Sequence, residues 1–313
     1  MSSNLHTQNI WPTATPSASI DVEPFSPFTG GQDDALHQFI DDMVRMMKEL
    51  MNTVQLHHKI PLFEIRKQII PSIQHAAESL DIPCLLAALQ SKDDYIYRHS
   101  IGVGVMATWI GKWYGVSESE LPALSLAATL HDIGKFRITM EIWTKPEKLT
   151  AFEYALMKKH TVIGYGMLKE TVGMNHRVAL VALQHHERQD GSGYPLGLGA
   201  SRLDLFSRIV AVADIFHALL SNRSYQAAFP FHEIMKQMKD QAFGALDPQI
   251  LSVFLDRLMQ SLLGKKVILN DGRIATIRMI HTQDPLHPLV QVDQEFLNLS
   301  QQSSIKIKQV IVS

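Results

Sequence analysis

Cysteine is nearly absent from this chain: Cys84 is the only one in 313 residues. That excludes an intramolecular disulfide and any zinc site built on several thiolates. Its setting, "DIPCLLAAL", reads as a helix start running into core, so a buried, inert thiol is expected. No run of about 18 apolar residues occurs, which leaves no candidate for a membrane-spanning helix. The opening "MSSNLHTQNIWPTATPSASI" lacks the basic start and apolar centre of a secretion signal, and a cytoplasmic location is expected. An excess of charge is missing too, since 29 Lys and Arg face 31 Asp and Glu for a net charge of -2. A general nucleic-acid-binding surface is therefore not expected, DNA is not a candidate partner, and any phosphate recognition must be local.

What is present is a globular composition, 46% hydrophobic and 19% charged, with enough length for one large domain plus appendages or for two domains. Residues 1–32 are rich in Ser, Thr, Pro and Gly without an apolar period and read as a flexible tail. A helical region follows over 33–90. Its first helix repeats Leu36, Phe39, Ile40, Met43, Met46, Met47, Leu50 and Val54 at three- and four-residue spacing. This methionine-rich stripe suits either a homodimer face or a cap on the rest of the chain. The next helix should be bent or interrupted near Pro71. Residues 91–262 are helical almost throughout, with Thr150 and Glu153 forming a capping-box signature. From 264 to 313 the texture changes to β-branched alternation around "NDG", a hairpin signal, and a small β module of three or four strands is predicted. The fold class is mainly α.

Fifteen histidines are the other abundance. His99, His131, His160, His185 and His186, with Asp132 and Asp214, each sit at the end of or within an apolar helix. Burying one such group without a partner costs roughly 1–3 kcal/mol or more. One buried histidine is ordinarily a core residue with a local partner, but five with two aspartates on separate helices suit a shared metal centre. Imidazole and carboxylate donors without thiolate fit Fe, Mn, Ni or Zn in a hydrolytic role. Seven donors exceed one tetrahedral site and suit two divalent ions. Adjacent residues on a helix diverge by about 100°, so His185 and His186 are expected to face different ions, as are His131 and Asp132. Two such ions acidify a water between them and clamp a phosphodiester. Lys135, in "HDIGK", is placed to stabilise phosphoryl charge.

Taken in order, "HDIGK", "KKHTVIGYGML", "HHERQDGSGYP" and "RIVAVADIF" resemble the HD-GYP family, bacterial metal-dependent phosphodiesterases of the second messenger cyclic di-GMP within the HD superfamily of helical bundles. The resemblance covers 91–262 and leaves both ends of the chain unexplained. It implies a metal shell of His99, His131, Asp132, His160, His185, His186 and Asp214, with Asp132 as bridging carboxylate and Lys135 on the phosphate side. It implies that Gly193, Tyr194 and Pro195 shape the nucleotide pocket, with docking of messenger-synthesising diguanylate cyclase (GGDEF-type) domains on the same loop. Arg223 is implied at the substrate's guanine or phosphate, with Arg188 a second candidate. The expected reaction is hydrolysis of cyclic di-GMP to linear pGpG, with onward cleavage to GMP left open, using two divalent ions, Fe or Mn in first place.

The departures concern substrate and metal number. Tyr95 stands where some members carry a third-metal Glu, so two metals are expected. His217, Ser224 and Gln226 replace residues commonly Asp, Pro and basic, which leaves open another cyclic dinucleotide or a slow sensor that binds the messenger or docks a partner. His217 suits an extra ligand, a donor behind the ligands, or packing. A helical scaffold with buried histidines and no metal is the plainest alternative.

Overall fold

The structure, a computed structural model, describes residues 26–29, 34–90, 94–143, 145, 147–221, 229–241, 244–302 and 304–312. Arg223, Ser224 and Gln226 lie outside the described residues. Strand β1 (Phe28–Thr29) precedes a helical body of α1 (Asp34–His57), α2 (Ile70–Ser79), α3 (Ile82–Ala88), α4 (Tyr95–Tyr114), α5 (Leu121–Thr129), α6 (Ala151–Lys158), α7 (His160–Lys169), α8 (His176–Gln184), α9 (Leu205–Leu220), α10 (Phe231–Gln241) and α11 (Pro248–Ser261). The chain closes with β2 (Lys266–Leu269), β3 (Ile274–Met279), β4 (Leu289–Val292), β5 (Glu295–Asn298) and β6 (Ile307–Ile311).

Helix α4 is the axis of the bundle. Every residue from His99 to Gly111 is buried, the all-round apolar signature of a helix enclosed by others. It packs against α5, α9, α2 and α11. Its buried Ile, Val and Met side chains each contribute roughly 1.5–3 kcal/mol of transfer free energy. The methionine stripe of α1 (Met43, Met47 and Met51, with Leu36, Ile40, Leu50 and Val54) is buried in this same core. The stripe therefore packs on the chain's own bundle, with Phe39 and Met46 partly buried against it. Before Pro71 the helix widens into a π-helical turn over Ile65–Ile69. A ring that lacks an N–H and crowds the preceding turn is a direct cause of such a bulge. Cys84 is half-buried rather than fully enclosed, while its amide donates to the N-cap carboxylate of Asp81.

The sheet runs β1-β6-β2-β3-β4-β5. Asn270, Asp271 and Gly272 form the predicted hairpin turn, with β2 and β3 antiparallel on either side. Two features differ from the sequence expectation. The sheet has six strands among the described residues, and one of them comes from the span read as a tail. Phe28 and Thr29 pair in parallel with Val310 and Ile311, and the Phe28 ring packs edge-on against Phe231 at 5.8 Å. The gain is burial of a large aromatic side chain, which a Ser/Pro-rich composition around it hides. No helix among the described residues is long and apolar enough to cross a membrane.

Candidate metal centre

Helix ends deliver most of the polar groups to one place. His99 lies just inside the start of α4, and His131 and Asp132 follow the end of α5. His160 opens α7, His185 is the C-cap of α8, and Asp214 lies within α9. Packing of α4 on α5 and α9, and of α8 on α5, α7 and α9, closes these ends around a single buried spot. Donor atoms of Asp132, His160, His185 and His186 lie within 4.8 Å of one another, as do those of His99, His131 and Asp214. All seven residues are buried.

Asp132 spans the two groups. Its Oδ1 faces His160 Nε2 at 3.2 Å and His185 Nε2 at 3.6 Å. Its Oδ2 faces His131 Nε2 at 3.3 Å and His99 Nε2 at 3.8 Å. Asp214 closes the second group, with Oδ1 3.1 Å from His99 Nε2 and 3.9 Å from His131 Nε2. Lys135 brings its ammonium onto Asp132 Oδ2. His131 and Asp132 fall into different groups, as their adjacency suggested. His185 and His186 do not: both belong with His160 and Asp132. The helix ends at His185, so the 100° step of a regular helix no longer applies, and the two rings come to 4.1 Å between centroids. Tyr95 joins neither group and stacks on the His99 ring at 5.4 Å.

The outer nitrogens of the rings are tied down. His131 Nδ1 donates to the Ala128 carbonyl at 2.7 Å, and His160 Nδ1 to that of Met157 at 2.7 Å. His185 Nδ1 is shared between Val181 and Ala182 at 3.1 Å each. A neutral imidazole with its proton on Nδ1 presents a lone pair at Nε2. Three Nε2 atoms thus converge on two carboxylates in a buried interior. His131 Nε2 and Asp132 Oδ1 have no hydrogen-bond partner among the described residues. Lone pairs and carboxylate oxygens repel unless a cation stands among them, so the donor set fits divalent metal, each ligand held by an outer partner.

The electrostatics point the same way. Burial depresses the pKa of His99, moves that of His185 down to about 4, and, with the neighbouring His185, holds His186 well below the usual range. Burial opposes charging of Asp132 and Asp214, yet it is outweighed. Lys135 and His131 keep Asp132 well below the carboxylate range, and His99 does so for Asp214. Burial likewise opposes charge on His131, but Asp132 outweighs it and raises its pKa. The centre thus offers neutral imidazoles at His99, His185 and His186 and ionised carboxylates at Asp132 and Asp214, the forms that bind metal.

The loop after His186 is built on Glu187, which the sequence reading passed over. Its buried carboxylate accepts from the Leu196 amide at 2.7 Å and the Leu198 amide at 2.9 Å. Only its place directly after the histidine pair hinted at a role. Gly191 has φ +78°. Gly193 is required for close approach. A Cβ there would lie 2.4 Å from the Arg188 nitrogen and 2.4 Å from the Glu187 Cα. The Tyr194–Pro195 peptide is cis, and the Tyr194 ring leans on His186 at 4.7 Å. Arg188, one of the substrate candidates, is buried, with Nη1 donating to the carbonyls of His185 and Glu187. Its Nε lacks a partner among the described residues. Arg223, the other arginine candidate, falls outside the described residues. His217 is also drawn to the centre, its Nδ1 3.1 Å from His99 Nδ1.

These features define a helical bundle with a buried His/Asp centre, and comparison with known proteins places it. The HD domain family profile matches residues 83–250, and the chain belongs to that family, in the HD-GYP type its motifs spell out. It is 32% identical over 227 residues to Cyclic di-GMP phosphodiesterase PA4108 of Pseudomonas aeruginosa, covering 72% of this chain and 53% of that protein. Identity to the cyclic di-GMP phosphodiesterase response regulator RpfG of Xanthomonas campestris pv. campestris is 42% over 151 residues, 48% of this chain and 40% of the relative. The 3'3'-cGAMP-specific phosphodiesterase 1 of Vibrio cholerae is 32% identical over 232 residues, 71% of this chain and 54% of the relative. The chain spans about half the length of these relatives. The solved structure of Bd1817, an HDG"Y"P protein from Bdellovibrio bacteriovorus, shares the fold with a TM-score of 0.57 over 74% of each chain at 19% identity.

Proposed function

We propose that the protein is a metal-dependent phosphodiesterase that hydrolyses cyclic di-GMP to linear pGpG at a two-metal centre. The observation that carries this reading is Asp132, with one carboxylate oxygen toward each donor group. Asp132, His160, His185 and His186 would hold one divalent ion, and His99, His131 and Asp214 the other, with Asp132 shared. Fe and Mn are the first choices for a nitrogen- and oxygen-only donor set. When bound, the pair supplies an acidified water and charge withdrawal from the phosphodiester.

The chain's own residues do the rest. The carbonyls of Ala128, Met157, Val181 and Ala182 hold the imidazole protons at Nδ1 and keep Nε2 facing inward. Lys135 brings positive charge beside Asp132, where it can stabilise charge building on the phosphoryl oxygens. Glu187 fixes the loop that carries Tyr194, so an aromatic wall stands next to His186. Arg188, buried in the same loop with Nη1 on the carbonyls of His185 and Glu187, is the second arginine candidate for the substrate. In a cell the reaction is assigned to the cytoplasm.

A second substrate is favoured by one specific observation. Relatives of similar identity include 3'3'-cGAMP-specific phosphodiesterases of Vibrio cholerae. Incubating metal-loaded protein with cyclic di-GMP and 3'3'-cGAMP in parallel separates the readings. Linear pGpG formed faster than the cGAMP product supports the first. The reverse ranking makes the mixed dinucleotide the substrate, and no product from either rejects the function.

A further inference from the structure

Next to the metal centre stands a cation that neither donor group uses. Helix α6 ends at Lys158, two residues before His160, and Tyr154 lies one turn earlier on the same face. The Lys158 ammonium sits 5.2 Å from the centroid of the Tyr154 ring and 5.7 Å from that of Tyr194. The two rings meet edge to face at 6.5 Å, and Tyr194 in turn leans on His186 at 4.7 Å. Metal ligand, loop tyrosine, helix tyrosine and lysine thus form one continuous wall. Among the described residues no carboxylate comes within ion-pair distance of Lys158, although five other described lysines (Lys48, Lys112, Lys135, Lys145 and Lys265) each hold an Asp or Glu. A lysine packed on two π faces, with no carboxylate beside it, can turn its ammonium to an incoming anion. The helix start of α6 is pinned by the Thr150–Glu153 capping box, with Lys145 on Glu153 at 2.7 Å, so the wall stands on a fixed element.

A cyclic dinucleotide carries two phosphodiesters and two purines. The donor groups and Lys135 serve the diester that is cleaved. The other diester still carries a full negative charge, and the bases still need an aromatic surface. We infer that Lys158 binds the phosphodiester that is not cleaved, with Tyr154 and Tyr194 forming the adjoining surface for a base. This makes Lys158 a specificity-determining residue that separates cyclic dinucleotides from simple diesters. The inference rests on the function proposed above.

The test compares wild type, Lys158→Met and Lys158→Arg on cyclic di-GMP and on bis(p-nitrophenyl) phosphate, which has a single diester, with metal content measured in each sample. The expected result is that Lys158→Met raises KM for cyclic di-GMP about tenfold with kcat within about twofold. The loss in kcat/KM should exceed the loss on bis(p-nitrophenyl) phosphate by about tenfold, metal content should be retained, and Lys158→Arg should restore most of the KM. An unchanged KM, or equal losses on both substrates, overturns the inference while leaving the proposed function standing. Metal loss in Lys158→Met also overturns it, by assigning the residue a structural role. A wild-type protein that turns over bis(p-nitrophenyl) phosphate but no cyclic dinucleotide rejects the proposed function, and this inference with it.

Discussion

His99 and His217 face each other through their Nδ1 atoms at 3.1 Å, and Ser221 Oγ lies 3.1 Å from the same nitrogen of His217. Where His131, His160 and His185 anchor Nδ1 on a main-chain carbonyl, His99 depends on another imidazole. The room for that ring comes from Gly102, where a Cβ would fall 2.1 Å from His217 Cδ2. His217 therefore sits behind His99 as its positioning partner. His217→Ala should lower affinity at the His99, His131 and Asp214 group by about 10–100-fold. Chelator competition followed by metal counting checks this: loss of about one ion per chain before the other is expected, and simultaneous loss of both would count against it.

Lys135 is predicted to act on charge rather than on assembly. Lys135→Met should reduce kcat on cyclic di-GMP by about 10²–10³-fold while leaving the metal count of the purified protein intact. Steady-state kinetics and metal analysis on the same preparation decide. If metal is lost along with turnover, the residue's main task is to balance Asp132.

Glu187 holds two amides with charge-assisted bonds, each worth roughly 1.5–3 kcal/mol. Glu187→Ala should release the loop locally, with amide exchange at Leu196 and Leu198 rising by orders of magnitude while exchange within α4 stays slow. Hydrogen-exchange mass spectrometry reads both segments in one experiment. Equal protection in the variant would mean that other contacts fix the loop.

The buried histidines set a pH dependence for the metal-free protein. Burial pulls His185 from an ordinary 6.5 down to about 4, and His99 and His186 shift the same way. A histidine with a lowered folded pKa contributes stability above its unfolded value, and that stability is lost as pH falls through the window from about 6.5 to about 4. His131 shifts upward and opposes this, but it is one group against three. Chelator-treated protein should therefore show a falling Tm between pH 7 and pH 5. A flat or rising Tm over that interval would contradict the assignment of neutral imidazoles.

Much of this was legible in the sequence because periodicity and helix-end chemistry are local. The apolar runs around His99, His131 and Asp214 announced buried helices, and polar groups set into them announced a centre. What stayed hidden depends on chain crossings. His99 meets His217 across 118 positions, and Phe28 pairs with Val310 across the whole chain, so no window of sequence holds either contact. The α1 stripe was clear in its period but silent on its partner, which proved to be the chain's own core. His185 and His186 were assigned by regular helix geometry just where the helix stops. Little in the local sequence marks Glu187 or Lys158. Only the folded loop shows what the first accepts and what the second faces.

Seven residues are proposed to hold two divalent ions for hydrolysis of a cyclic dinucleotide. The most direct measurement is metal counting on anaerobically purified wild type and Asp132→Ala, with cyclic di-GMP turnover followed in the same samples. Two ions per chain and linear pGpG from wild type, with both metal and product falling away in Asp132→Ala, is the predicted result. Wild type without stoichiometric metal, or Asp132→Ala forming product at the wild-type rate, would contradict it.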